Sequence, residues 1–60
     1  MDLKLTEAEA HTLRDVLRDY VPDLRREVAA TDVKDFRHQL VVRLDLIERL
    51  LAELDREVPA

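Results

Sequence analysis

Sixty residues and 7.0 kDa, with 40% charged and 47% hydrophobic side chains and a formal net charge of −4, predict one small domain spanning residues 1–60. A chain of this length buries only about 60% of the surface its unfolded form exposes, so a lone core is marginal, and ordering it costs roughly 1.5 kcal/mol per residue. The lack of Cys excludes disulfides and thiolate zinc sites, and the lack of Gly, Ser, Asn and Trp excludes Gly-rich phosphate loops, serine nucleophiles and primed hairpin turns.

Met1 to Leu5 alternates, with Leu3 and Leu5 on one side, and reads as a short extended lead-in. Thr6-Glu7-Ala8-Glu9 matches a capping box, in which the Thr6 hydroxyl accepts from the Glu9 amide and the Glu9 carboxylate accepts from the Thr6 amide. Leu5 and Ala10 add a weak hydrophobic staple. The first helix is predicted over about 7–29. Ala10, Leu13, Leu17, Tyr20, Val21, Leu24 and Val28 fall within an arc of roughly 100°, Val16 widens it, and Arg14, Asp15, Arg18, Asp19 and Arg26 lie opposite. Pro22 cannot donate to the Arg18 carbonyl and crowds that turn. The stripe nevertheless continues in phase past it, which predicts one kinked helix rather than two.

Ala29-Ala30-Thr31-Asp32 contains neither Gly nor Pro, so one continuous helix has to be weighed. Continuing the first phase would put Asp35 and Gln39 on the core line, whereas the apolar set restarts at Val33 and Phe36, roughly 140° away. A break is therefore expected, with Thr31 or Asp32 capping a new helix and Asp32 and Asp35 near its positive end. The second helix is predicted over about 33–57. Val33, Phe36, Leu40, Leu44, Ile47, Leu51, Leu54 and Val58 recur in steps of three and four, and Leu46 and Leu50 widen this stripe to roughly 160°. Asp45, Arg49 and Glu53 form an i,i+4 ladder on the outer face. A connection of two to four residues makes the helices antiparallel neighbours. The fold class is all-α, an antiparallel two-helix hairpin.

A lone hairpin offers each helix a single narrow seam, which leaves Leu46 and Leu50 in water. Two hairpins packed as a homodimer, a four-helix bundle, would cover both. Leu17, Tyr20, Leu24, Phe36, Leu40, Leu44, Leu46, Ile47, Leu50, Leu51 and Leu54 are the expected core and interface residues. Two charges break the stripes. Glu27 projects between Val16 and Tyr20, and Arg43 between Leu50 and Leu54. Such charges are costly unless paired. Counting back from the loop puts Glu27 level with Phe36 and Arg37. The expected pair is thus Glu27 with Arg37, and Arg43 is left for Asp23, the Tyr20 hydroxyl or a partner chain. Glu27, Arg37 and Arg43 are buried polar candidates, against the plainer reading that Glu27 and Arg43 snorkel to water.

Little points to chemistry. Glu7 and His11, and Asp35 and His38, have metal-compatible helical spacings, but Phe36 takes the inward position and turns Asp35 and His38 outward, and both pairs read as solvated. Arg14, Arg18, Arg25 and Arg26 are interleaved with Asp15, Asp19 and Asp23, which makes a salt-bridged face rather than a phosphate site. The acidic balance, seven acids and five bases in each half, argues further against nucleic acid. Tyr20 reads as a core residue with its hydroxyl at the rim, and Thr31 as a cap rather than a phosphorylation site. No nucleophile–base–orienter set can be assembled. The chain is therefore expected not to be an enzyme, and to have no catalytic residues, cofactor or metal. Uncharged runs such as Gln39–Val42 are too short for a membrane span or a signal-peptide core, so a cytoplasmic protein with no membrane partner is expected. Arg supplies eight of the ten bases, and Ala, Val, Leu and Asp are common, which suggests a GC-rich bacterial genome. The expected function is a small structural or protein-interaction protein that self-associates through its apolar helix faces. The alternative is a regulatory module that binds a different protein through the second helix.

The Leu3-x-Leu5-Thr6-x-x-Glu9 start, the run Leu24-Arg25-Arg26-Glu27-Val28-Ala29-Ala30-Thr31-Asp32, Phe36-Arg37-x-x-Leu40 and the Leu50-Leu51 pair carry a resemblance. Along its whole length the chain resembles a group of short bacterial helical-hairpin proteins of unknown function. The resemblance implies the hairpin and brings no activity with it, and Pro22 departs from the uninterrupted first helix it implies. The end of the second helix also resembles helical-bundle mutases of the chorismate type, whose site needs a longer chain and inward-facing bases that are missing here.

Overall fold

The computed structural model describes residues 3–58. Two helices of 24 residues, α1 (Glu7–Ala30) and α2 (Lys34–Glu57), pack against each other antiparallel in a body of 39 × 24 × 14 Å. No strand occurs among the described residues. α1 ends one residue later than its sequence predicts, and α2 begins one residue later. Met1 and Asp2 of the expected lead-in lie outside the described residues, and Leu3 to Thr6 carry no regular structure.

α1 starts where local chemistry dictates. Thr6 Oγ1 accepts from the Glu9 amide at 3.0 Å, and Glu9 Oε1 accepts from the Thr6 amide at 2.9 Å. The amide of Thr6 foremost, and its side-chain hydroxyl second, favour the ionised carboxylate and hold the Glu9 carboxyl below its ordinary 4.5. The folded form thus gives up this proton more readily than the unfolded chain. The stabilisation is complete above the ordinary glutamate pKa and is lost as the pH falls through the depressed value. Acidification is therefore expected to lower the exchange protection of the Thr6 amide, measured against its intrinsic rate at each pH, before that of the rest of α1. Thr6→Ala is expected to fray the same turn at neutral pH and to cost about 1 kcal/mol, read by chemical denaturation.

α1 runs unbroken through Pro22, so it is one helix and not two. Pro22 is exposed and has no amide to offer the Arg18 carbonyl. Pro22→Ala should raise stability by roughly 1–2 kcal/mol. The gain is the restored hydrogen bond and relieved ring crowding, reduced by the entropy that proline removes from the unfolded chain. An unchanged denaturation midpoint would show that the turn is already relaxed.

Thr31, in extended conformation, closes α1, and its hydroxyl donates to the Glu27 carbonyl at 2.6 Å. It thereby satisfies one of the last-turn carbonyls. This corrects the cap expected for the second helix. The N-cap of α2 is Val33, which makes no side-chain cap bond, so neither Thr31 nor Asp32 serves there. The Thr31 hydroxyl is committed backwards, and the break is made by extended backbone at Thr31 and Val33 rather than by a capping side chain.

The helices meet along a seam with a period of 3.5 residues. Ala10, Arg14, Leu17, Val21, Leu24 and Val28 face Leu40, Leu44, Ile47, Leu51, Leu54 and Val58 in steps of four and three, the spacing of antiparallel knobs-into-holes packing. Leu24, Leu40 and Val58 are 0%, 2% and 2% exposed and form the sealed part of the core. Leu17, Val21, Leu44, Ile47, Leu51 and Leu54 are half-buried in the single hairpin. Phe36 lies on the inward line of α2 yet is 49% exposed. It sits in the first turn of α2.

Candidate functional site: an apolar face opposite the ion pairs

The two broad sides of the hairpin differ chemically. On one side Arg18 bridges to Asp55 and Arg25 to Glu48, each at 2.9 Å. Seven residues back along α1 answer seven residues forward along α2, as an antiparallel register requires. All four side chains are exposed, so each pair adds only a fraction of a kcal/mol. Their role is to set the register and cover the seam beside Val21, Pro22, Leu51 and Ala52.

The other side is apolar. Leu3, Leu5, Ala10 and Leu13 share a groove with Leu50 and Leu54, bordered by Glu53 and Glu57. A shallower depression continues from Leu13 to Val16. At about 100° per residue, Tyr20 and Leu46 extend the same surface. Val16, Tyr20, Leu46 and Leu50 are 57%, 39%, 46% and 37% exposed. The helix projection treated Val16 and Tyr20 as stripe residues. The seam is turned by roughly 30° toward Arg14, which carries them out of the core and onto this side.

Arg14 is the residue that sequence reasoning missed. The helix projection puts it on the outer face, yet it is 6% exposed. Its Nη1 donates to the Val58 carbonyl at 2.8 Å, fastening the end of α2 to the start of α1. Its Nη2 lies 3.1 Å from His11 Nδ1; a guanidinium only donates, so the imidazole accepts at that atom. The Nε has no hydrogen bond, but carboxylate oxygens of Asp15 and Asp55 lie 3.6 and 3.9 Å away. The heptad spacing held the signal: stepping from Ala10 by four and then three lands on Arg14 and Leu17.

The three buried polar candidates require correction. Glu27, Arg37 and Arg43 are all exposed in the hairpin, and none forms an ion pair among the described residues. The expected Glu27–Arg37 pair fails on register. Counting back evenly from the loop ignores the lean of side chains toward the N-terminus of their own helix, so long side chains on antiparallel helices meet partners farther from the loop. With that lean included, as in the Arg25–Glu48 pair, the Glu27 side chain reaches toward the height of the Leu46 side chain, more than two turns past Arg37. Asp23, a candidate for Arg43, is bonded instead to Arg26 in its own helix.

Among the described residues, no group of three or more His, Asp or Glu is placed to hold a metal, and no helix is long and apolar enough to cross a membrane. No family model, no curated protein and no solved structure matches the chain.

Proposed function

We propose that the chain is a small cytoplasmic structural or interaction protein, not an enzyme, that works as a homodimer of two hairpins closing into a four-helix bundle. The observation that carries this reading is the continuous apolar side running from Leu3 and Leu5 through Val16, Tyr20, Leu46 and Leu50. A cysteine-free chain of 60 residues has no disulfide to supplement its core, and a second copy is the remaining economical cover. A two-fold dimer uses one patch twice and leaves no new edge exposed. The ion-paired side, with Arg18, Arg25, Glu48 and Asp55, then faces outward from the bundle, where it is free to meet other components.

The test is the concentration dependence of unfolding in the native chain and in the double variant Leu46→Glu/Leu50→Glu. The native midpoint is expected to rise with protein concentration, as it does whenever folding is linked to association. The variant should lose that dependence and melt lower. A native midpoint that ignores concentration, or a molten and aggregating monomer, would overturn the homodimer, and the latter would point to a different protein as the occupant of this face.

A further inference from the structure

Glu27 of α1 and Arg43 of α2 interrupt the apolar side toward its loop end. Both are exposed, and neither has an ion-pair partner among the described residues. Projected at about 100° per residue, Glu27 shares the outward sector of Val16 and Tyr20, and Arg43 borders that of Leu46 and Leu50. Charges inside an interface exclude an occupant that leaves them unmatched, so this pair selects both the partner and its orientation. Resting on the self-association proposed above, we infer that two hairpins dock about a two-fold axis parallel to their helices. α1 of one copy lies antiparallel on α2 of the other, and Glu27 of each copy pairs with Arg43 of its mate.

The register supports this geometry. Leu13 shares its groove with Leu50, Glu53, Leu54 and Glu57, which centres it near residue 53. By backbone height alone, before any side-chain lean, Val16 then stands level with Leu50, and Tyr20 with Leu46. Glu27 lies seven residues beyond Tyr20 and Arg43 three residues beyond Leu46, an axial offset of about 6 Å at 1.5 Å per residue. The lean of the side chains closes that gap: Glu27 leans away from the loop and Arg43 toward it. The other face-to-face arrangement has its two-fold axis across the helices and inverts the patch about its middle. That sets Arg43 near Glu53 of the second copy but Glu27 against its Glu9, a like-charge contact. Only the parallel axis matches both interrupting charges.

Glu27→Arg and Arg43→Glu test the orientation by sedimentation and native mass spectrometry. In a homodimer of either variant both cross-pairs carry like charges, and the dimer dissociation constant is expected to rise at least about tenfold. Mixing the two variants in equal amounts restores opposite charges at both positions and should yield a heterodimer of native affinity. The double variant Glu27→Arg/Arg43→Glu should recover a homodimer, which also shows that neither reversal prevents folding. Single variants that dimerise like the native chain, or a mixture that forms no heterodimer, overturn the orientation while leaving a dimeric native chain intact. A native chain that is monomeric overturns the underlying self-association itself.

Discussion

Leu24→Ala or Leu40→Ala is expected to give the largest loss of stability of any single apolar truncation, about 2–5 kcal/mol. These two leucines are 0% and 2% exposed, and they come from opposite helices of the sealed part of the seam. Truncating such a side chain removes its transfer free energy and leaves a cavity, together about 2–5 kcal/mol. A 60-residue domain has roughly 3–9 kcal/mol of total stability, so either change removes between about a quarter of it and all of it. Leu44→Ala and Ile47→Ala, at half-buried positions, should fall at the low end of the same range. Chemical denaturation followed by circular dichroism gives the ranking directly. Equal losses at all four sites would mean that the assembly, and not the single hairpin, determines which positions are sealed.

The second large effect is expected at Arg14. Arg14→Ala removes a charged donor from the Val58 carbonyl and a buried aliphatic stem from the seam, with an expected cost of about 2–4 kcal/mol. The loss has a local signature. The last turn of α2, where the Val58 amide donates to the Leu54 carbonyl at 2.9 Å, should open first and lose hydrogen-exchange protection ahead of the middle of the helix. Arg14→Met keeps the stem and loses the charge, so it should retain part of the stability but show the same release of the last turn. Protection at that turn left unchanged in both variants would show that Val58 is held by its apolar contacts alone.

The sequence revealed features whose cause is local. The Thr6–Glu9 capping box needs only residues three apart, and it forms as its side-chain chemistry requires. The two helices and the three-residue connection follow from the phase slip between Val28 and Val33, which no continuous helix can accommodate. Features set by the pairing of helices were less legible. Arg14 reads as a surface residue because its partner, the Val58 carbonyl, lies 44 positions away in the chain. An even count from the loop matches Glu27 to Arg37 because it ignores the opposed lean of side chains, which the Arg18–Asp55 and Arg25–Glu48 pairs make visible. Tyr20 reads as a core residue because a broad apolar arc does not reveal which of its edges faces the partner helix. The width of the second stripe alone singles out Leu46 and Leu50, and they lie exposed on the apolar side.

Self-association through that side is tested most directly by sedimentation equilibrium of the native chain from low micromolar to several hundred micromolar. The expected result is a single species of about 14 kDa, twice the 7.0 kDa chain, dissociating only at the lowest concentrations. A compact monomer of 7.0 kDa across the whole range, still unfolding cooperatively, would contradict it.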